Sequence, residues 1–493
     1  MKYAALVGLL ALAGSAFAAD KPTGPPSGPQ QEGNFHKVIL DSDKDTNGDG
    51  QYEDTIKEPM ELAVAPDGRV FFNDLYGSVR MWDPKTSQTK EIANIKVYHE
   101  RNRGMEDGML GLTLDPNFAK NNWIYLFYST PETKQDSNGK KTGENLLSRF
   151  TLKGDQLDLS SEKVLLRVQT QRETCCHQGG SLAFDKDGNL YISTGDNTNP
   201  FESHGFAPTD ERPGRSPWDA QKSSANPNDL RGKILRIHPA PDGTYTIPKG
   251  NLFAVGTEGT RPEIFVMGNR NPYRIGLDSK TGFLYWGEVG PDAGGPSEKR
   301  GPAGFDEINQ AREAGFYGWP YFIADNKAYV DFDFATTNSG AVYNASAPIN
   351  DSPYNTGRKE LPPAKPAMIY YPASASTRFP VVGSGGRTAM AGPVYHFDEN
   401  LKSDRKLPRE YDNTLFIYEW SRNWIIAVKL DENSKVVKME PFLKGMTFKR
   451  PVDMELGPDG CLYIIEYGTN WGNNTDTQIV RIEHRPSTQA SAN

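Results

Sequence analysis

One local pattern returns six times along the chain and restricts it to few folds: a polar turn bearing Asp, Asn or Gly, then a short aromatic and β-branched run. It reads Ala65-Pro66-Asp67-Gly68 before Val70-Phe71-Phe72, and Asp115-Pro116-Asn117-Phe118 before Trp123 to Tyr128. It returns as Asp185 to Gly188 before Leu190-Tyr191-Ile192, and as Asp278 to Gly282 before Phe283-Leu284-Tyr285-Trp286. A weaker copy is Asp412-Asn413 before Leu415-Phe416-Ile417, and the last is Gly457 to Gly460 before Leu462-Tyr463-Ile464. Asp-Gly before such a run marks a hairpin, because glycine accepts the positive φ of the turn. Repeated over one chain, the pattern predicts radial repetition. The expected fold is an all-β, six-bladed propeller with long inserted loops, each copy the middle hairpin of a blade. A pair of β-sandwiches is the alternative. With 48 glycines and 36 prolines in 493 residues, the chain is punctuated too often for long amphipathic helices.

The ends read differently. Met1-Lys2, the apolar run Tyr3 to Leu12 and Ala16-Phe17-Ala18 form the three regions of an export signal over 1–18, cleaved after Ala18. The run falls short of the roughly 20 residues a membrane span needs. A periplasmic or secreted protein with no membrane span after signal removal is expected. Residues 19–57 read as a leader, rich in Pro, Gly and Gln from Lys21 to Gly33. The propeller is expected over 58–484 and a disordered tail over 485–493. Within the leader, Asp43, Asp45, Asn47, Asp49 and Asp54 have calcium-loop spacing without flanking helices. A solvated acidic turn is the other reading.

The net charge is -8, with basic residues scattered, which argues against nucleic acid as a partner. Three cysteines, Cys175, Cys176 and Cys461, make no disulfide framework. An oxidising compartment favours a Cys175–Cys176 bond. Adjacent Cα atoms, however, sit about 3.8 Å apart, closer than the ~4.4–6.8 Å that disulfides prefer. Two packed thiols, or a bond from one of them to Cys461, therefore stay open.

Three segments depart from blade grammar. In the first, His177 precedes Gly179-Gly180 and a hairpin that ends at Asp196. An imidazole with a carboxylate behind it is the arrangement of an oriented general base; the other reading is a packed blade-edge histidine. The second is Met267-Gly268-Asn269-Arg270-Asn271-Pro272, whose arginine can neutralise carboxylates or charge growing on an oxygen. The third is Gly287 to Asp292, where the Gly290-Pro291 turn offers main-chain carbonyls, hard donors suited to calcium.

Together with Asp107 to Leu112, Arg231 to Arg236, Asp306-Glu307-Ile308-Asn309 and Gly318-Trp319-Pro320, these strings run in one order from Glu58 to about Glu483. Over that length the chain resembles the soluble glucose and aldose sugar dehydrogenases that use pyrroloquinoline quinone (PQQ). The resemblance implies a six-bladed propeller with the cofactor at one end of its channel. It implies His177 as proton-abstracting base, Asp196 as its orienting carboxylate, Arg270 at the quinone oxygen, and Asn271 and Gln178 beside the cofactor. It also implies that the Gly290 and Pro291 carbonyls hold a catalytic calcium. The reaction it implies oxidises the C1 hydroxyl of a sugar substrate to a lactone, with hydride passing to the quinone. Lacking a haem-attachment C-x-x-C-H, such a protein hands its electrons to a separate acceptor, a cytochrome or quinone.

PQQ carries three carboxylates, so cations are needed in an acidic protein; Arg450, Arg422 and Arg387 are the candidates. The chain also departs from the family pattern. Ser421 stands where a cofactor-binding Lys is usual, Val452 where a second Arg is, and Phe201 near the place of a substrate-contacting Gln. Glu106 replaces a Gln near the substrate, and the insertion Asn197 to Asn228 is expected to cover the cleft. Two other readings stay in view: a calcium-dependent propeller lactonase, and a non-catalytic carbohydrate- or protein-binding propeller.

Overall fold

The computed structural model describes residues 23–100, 106–137 and 139–486. The expected export signal and most of the expected tail lie outside the described residues. Each polar turn does what its residues dictate. Gly68 and Gly188 take φ of 87° and 78°, and their N–H groups donate to Ala65 O and Asp185 O at 2.9 and 3.1 Å. The runs that follow are strands with almost every side chain buried, such as Val70–Asp74 and Leu190–Thr194.

The sheets form six blades. Their inner strands are Pro59–Val64, Met109–Leu114, Gly179–Phe184, Pro272–Leu277, Ala389–Tyr395 and Pro451–Leu456. Each packs on the next, and the last packs on the first, closing a ring. Approach in the ring is close: a Cβ on Gly276 would lie 2.1 Å from Gly392 O. The six sequence turns join each inner strand to the second strand of its blade, so the repeat marks the innermost hairpin and not the middle one.

The leader boundary is corrected. Gln30–Glu32 and Phe35–Ser42 are strands, and the latter pairs antiparallel with Gln478–His484, from Phe35↔His484 to Ser42↔Gln478. The N-terminal segment thus supplies the outer edge of the sixth blade and links the two ends of the ring. Lys37, in this strand, is 1% exposed; its Nζ pairs with the buried Glu466 and donates to Thr447 O at 2.7 Å.

Polar groups also tie the ring together along its axis. Buried Glu61 of blade one accepts from Ser181 Oγ and Leu182 N of blade three, at 2.6 and 3.0 Å, and from Leu112 N of blade two at 2.7 Å. Arg274 of blade four lies 3.3 Å from Asp453 of blade six. Burial pushes the Glu61 carboxyl well up from its usual range.

Candidate active site

A cavity of about 400 Å³ opens at one end of the ring. Its walls come from equivalent places in the blades. Gln178, Asn271 and Thr388 each directly precede an inner strand, whereas Val289, Trp420 and Tyr467 each directly follow a second strand. Antiparallel pairing brings the start of one strand beside the end of its neighbour, so residues distant in the chain face one space.

His177 and Asp196 meet in this way at the two ends of the first hairpin of blade three. His177 Nδ1 lies 2.7 Å from Asp196 Oδ1. A carboxylate can only accept, so Nδ1 carries the hydrogen and Nε2 keeps its lone pair. His177 lines the cavity, and among the described residues no hydrogen bond engages Nε2. Asp196 is fully buried and is itself held: Trp319 Nε1 donates to Oδ2 at 2.8 Å and Thr198 N to Oδ1 at 2.9 Å. The His177 backbone sits in the left-handed region at φ 60°. Its N–H donates to Glu106 Oε2 at 2.8 Å, and its carbonyl accepts from Asn197 N at 3.1 Å.

Two guanidiniums face the same cavity. Arg270 and Arg387 both line it, with side chains 5% and 7% exposed. Arg270 Nη1 donates to Val289 O at 2.9 Å, and among the described residues its buried Nε has no hydrogen-bond partner. Arg387 Nη2 donates to Pro291 O at 2.7 Å and Nη1 lies 3.2 Å from buried Asp306. The exposed Asp292 stands 3.9 Å from both arginines. Asn271 Oδ1 accepts from Gly179 N at 3.0 Å, and Gln178 Oε1 from Asn145 Nδ2 at 3.0 Å. Glu288 accepts from the backbone N–H groups of Arg270 and Asn271 at 2.6 Å each.

Burial beneath these arginines raises several carboxyls. Glu288 is pushed well up, and Glu307, held by Asn309 Nδ2 and Ala324 N, is pushed from 4.5 to about 7. The folded protein therefore keeps the Glu307 proton to about pH 7, whereas the unfolded chain loses it near 4.5. Between those values the folded state binds the extra proton, so this group drains stability as pH rises. Glu307→Gln should match the parent near pH ~4 and exceed it by about 1–3 kcal/mol at pH ~8, read as a growing difference in Tm.

Other sequence candidates lie elsewhere. Arg422 turns away from the cavity, donating to Gly386 O and Val382 O at 2.7 and 2.9 Å and covering Tyr371. Arg450 is one ring behind the wall: its guanidinium stacks 3.9 Å over Trp420 while Nε donates to Thr469 O at 2.8 Å. Ser421 pairs with Thr388, Oγ to Oγ1 at 2.8 Å, and Val452 lines the cavity. Gly290 N donates to Asp306 Oδ1 at 3.1 Å, and the Pro291 carbonyl, expected to serve a cation, accepts from Arg387. Of the insertion 197–228, Pro200 and Phe201 line the cavity, while Asp219, Ala220 and Ser223 pack fully buried.

Cys175 and Cys176 are joined to each other, Cys176 lines the cavity, and Cys461 is free and buried. The predicted calcium set is corrected. Asp43 turns into the protein, accepting from Thr55 N, Ile56 N and Thr477 N at 2.8–2.9 Å. The carboxylates that converge are Asp45, Asp49 and Glu53, without Asp54. Asn47 Oδ1 accepts from Asp49 N at 2.9 Å. Backbone N–H groups claim the acids, with Gly50 N donating to Asp45 at 2.8 Å and Gln51 N to Asp49 at 2.7 Å.

Glu58, Trp420, Tyr467 and Trp471 line the cavity but have no motif of their own. The usable signal is position: Glu58 directly precedes an inner strand, and Trp420 and Tyr467 directly follow second strands.

The family model described as Glucose / Sorbosone dehydrogenase matches residues 56–353. Quinoprotein glucose dehydrogenase B of Acinetobacter calcoaceticus is 23% identical over 425 residues, covering 83% of both chains. An aldose sugar dehydrogenase of Escherichia coli is 25% identical over 415 residues, 84% of this chain and 88% of its own. The PQQ-bound aldose sugar dehydrogenase of Streptomyces coelicolor shares the fold, with TM-score 0.55 and 17% identity over 92% of this chain and 99% of that one.

Proposed function

The chain belongs to the glucose/sorbosone dehydrogenase family, and from that premise we propose that it is a PQQ-dependent dehydrogenase oxidising the C1 hydroxyl of an aldose to a lactone. The observation that carries the reading is one cavity shared by an oriented imidazole and two nearly buried guanidiniums.

The lining fits PQQ in charge and size. A polycarboxylate needs cations in a dry site, and Arg270, with an unpaired Nε, and Arg387 provide them. The volume of about 400 Å³ lies in the range of cofactor pockets. Arg270, Arg387, Asn271 and Thr388 would hold the cofactor on one side, with Trp420 offering an aromatic wall. When bound, PQQ supplies the two-electron acceptor that no side chain provides.

The protein's own groups move the proton. His177 Nε2 accepts it from the sugar hydroxyl, and the Asp196 carboxylate stabilises the imidazolium that results. Trp319 keeps Asp196 aimed, and Glu106 fixes the His177 backbone, so the base is held in place before substrate arrives. Calcium receives no step here: the Pro291 carbonyl, its expected ligand, accepts from the Arg387 guanidinium.

Among the described residues no helix is long and apolar enough to cross a membrane. With the expected export signal, we place the protein in the periplasm or outside the cell, passing electrons to a separate cytochrome or quinone.

The test is reconstitution. Purified protein loaded with PQQ, with and without Ca²⁺, should reduce an artificial dye in the presence of aldoses and gain thermal stability from the cofactor. No turnover and no PQQ-induced stabilisation would overturn the reading and leave a binding propeller.

A further inference from the structure

We infer that a second pocket, on the flank of the propeller between blades two and three, binds a small oxyanion through Lys222. This inference stands apart from the dehydrogenase reading. The pocket holds about 190 Å³, enough for a sulfate- or carboxylate-sized ion. One wall is Lys140 to Thr142 and Gln169 to Gln171 of blade two; the other is Ser216, Pro217, Lys222 and Arg231, which follow the second strand of blade three.

Two polar side chains on this wall are more than nine-tenths buried and unpartnered. Lys222 is 8% exposed, lines the pocket, and its ammonium has no hydrogen bond or ion pair among the described residues. Thr170 is 3% exposed, lines the same pocket, and its Oγ1 has no partner among the described residues. A buried ammonium is ordinarily paired, and a buried hydroxyl ordinarily hydrogen-bonded. One bound oxyanion would satisfy both, taking charge from Lys222 and a hydrogen from Thr170.

The charge balance agrees. Four cations, Lys140, Lys141, Lys222 and Arg231, line the pocket against two carboxylates, Asp136 and Glu173, in a chain of net charge -8. Both carboxylates already accept from backbone, Asp136 from Lys140 N at 2.9 Å and Glu173 from Lys141 N at 2.5 Å. Arg231 is committed to Asp229, at 2.6 and 3.0 Å. Lys140 Nζ donates to Gly214 O and Ser216 Oγ at 3.1 and 3.2 Å. Lys222 is thus the buried cation of this wall that no hydrogen bond or ion pair engages among the described residues.

The groups that act on Lys222 are Arg231, which opposes its charge, and Asp229, Asp219 and Asp196, which support it; burial dominates and lowers the ammonium to about 7. An anion should thus bind when Lys222 is protonated and be released as it deprotonates.

Calorimetric titration of the full-length protein with sodium sulfate, and in parallel with sodium acetate, tests this at pH 6.5 and 8.5 against sodium chloride of equal ionic strength. Both probes keep their charge across that range, so a change reports the protein. Saturable binding is expected, weakening roughly tenfold from pH 6.5 to 8.5, with acetate alone marking a carboxylate as the ligand. Lys222→Met should weaken it at least tenfold and Thr170→Val several-fold. Absence of saturable binding of either anion by the parent protein would overturn the proposal, as would unchanged affinity in Lys222→Met. Should Lys222→Met not fold, unchanged affinity in Thr170→Val would overturn it.

Discussion

His177→Asn should lower aldose turnover by roughly 10²–10⁴-fold while Tm and PQQ affinity stay close to those of the parent. The size follows from removing the one group in the cavity, among the described residues, that pairs a free ring nitrogen with a carboxylate behind it. Asparagine is chosen because it tolerates the left-handed backbone at this position, where φ is 60°. The Glu106 and Asn197 backbone contacts survive the change, so the loss reports proton transfer and not collapse of the loop. Trp319→Phe is the graded companion: it removes one of the hydrogen bonds that hold Asp196 and should cost about tenfold in turnover. Steady-state dye reduction with the cofactor-loaded variants, beside thermal denaturation, checks both. Parental turnover in His177→Asn would remove the base from the mechanism and leave the family assignment untouched.

Lys37→Met should destabilise the fold by about 3–5 kcal/mol. Lys37 and Glu466 face each other with both side chains 0% exposed. Burial lowers the Lys37 ammonium and raises the Glu466 carboxyl, each partly offset by the other's charge. Removing the cation leaves Glu466 buried without its partner, the costly half of a broken pair. The position magnifies the effect, since Lys37 lies in the strand that joins the N-terminal segment to the sixth blade. Lys37→Met with Glu466→Leu should recover much of the loss, because the stranded charge goes with its partner. Denaturant midpoints for the single and double variants distinguish that outcome from simple loss of packing.

Much of the fold is legible because its turns are local. Asp67-Gly68 and Asp187-Gly188 need only their own residues to reverse the chain, and every copy of the pattern falls between an inner strand and its neighbour. The closing strand is harder to read. Its inward Lys37 and Asp41 break the apolar alternation of an ordinary strand, and its partner lies at the far end of the chain. The same limit separates the arginines. Arg270 and Arg387 sit two residues before inner strands, next to Asn271 and Thr388, and both reach the cavity. Arg450 also directly precedes an inner strand, Pro451–Leu456, yet its side chain goes to Thr469 O and the Trp420 ring, and Arg422 goes to carbonyls, partners that sequence spacing does not encode. Asp43 has calcium-loop spacing but is claimed by the N–H groups of Thr55, Ile56 and Thr477, the last brought in from the sixth blade.

By itself, the order of residues determined the propeller and the candidates His177, Asp196 and Arg270, since turn conformation and side-chain chemistry are properties of short segments. Only the tertiary structure decided which cations reach the cavity, which strand closes the ring, and where Asp43 points. Those outcomes depend on contacts between segments hundreds of residues apart. There, burial and hydrogen-bond satisfaction, and not local preference, select the partner.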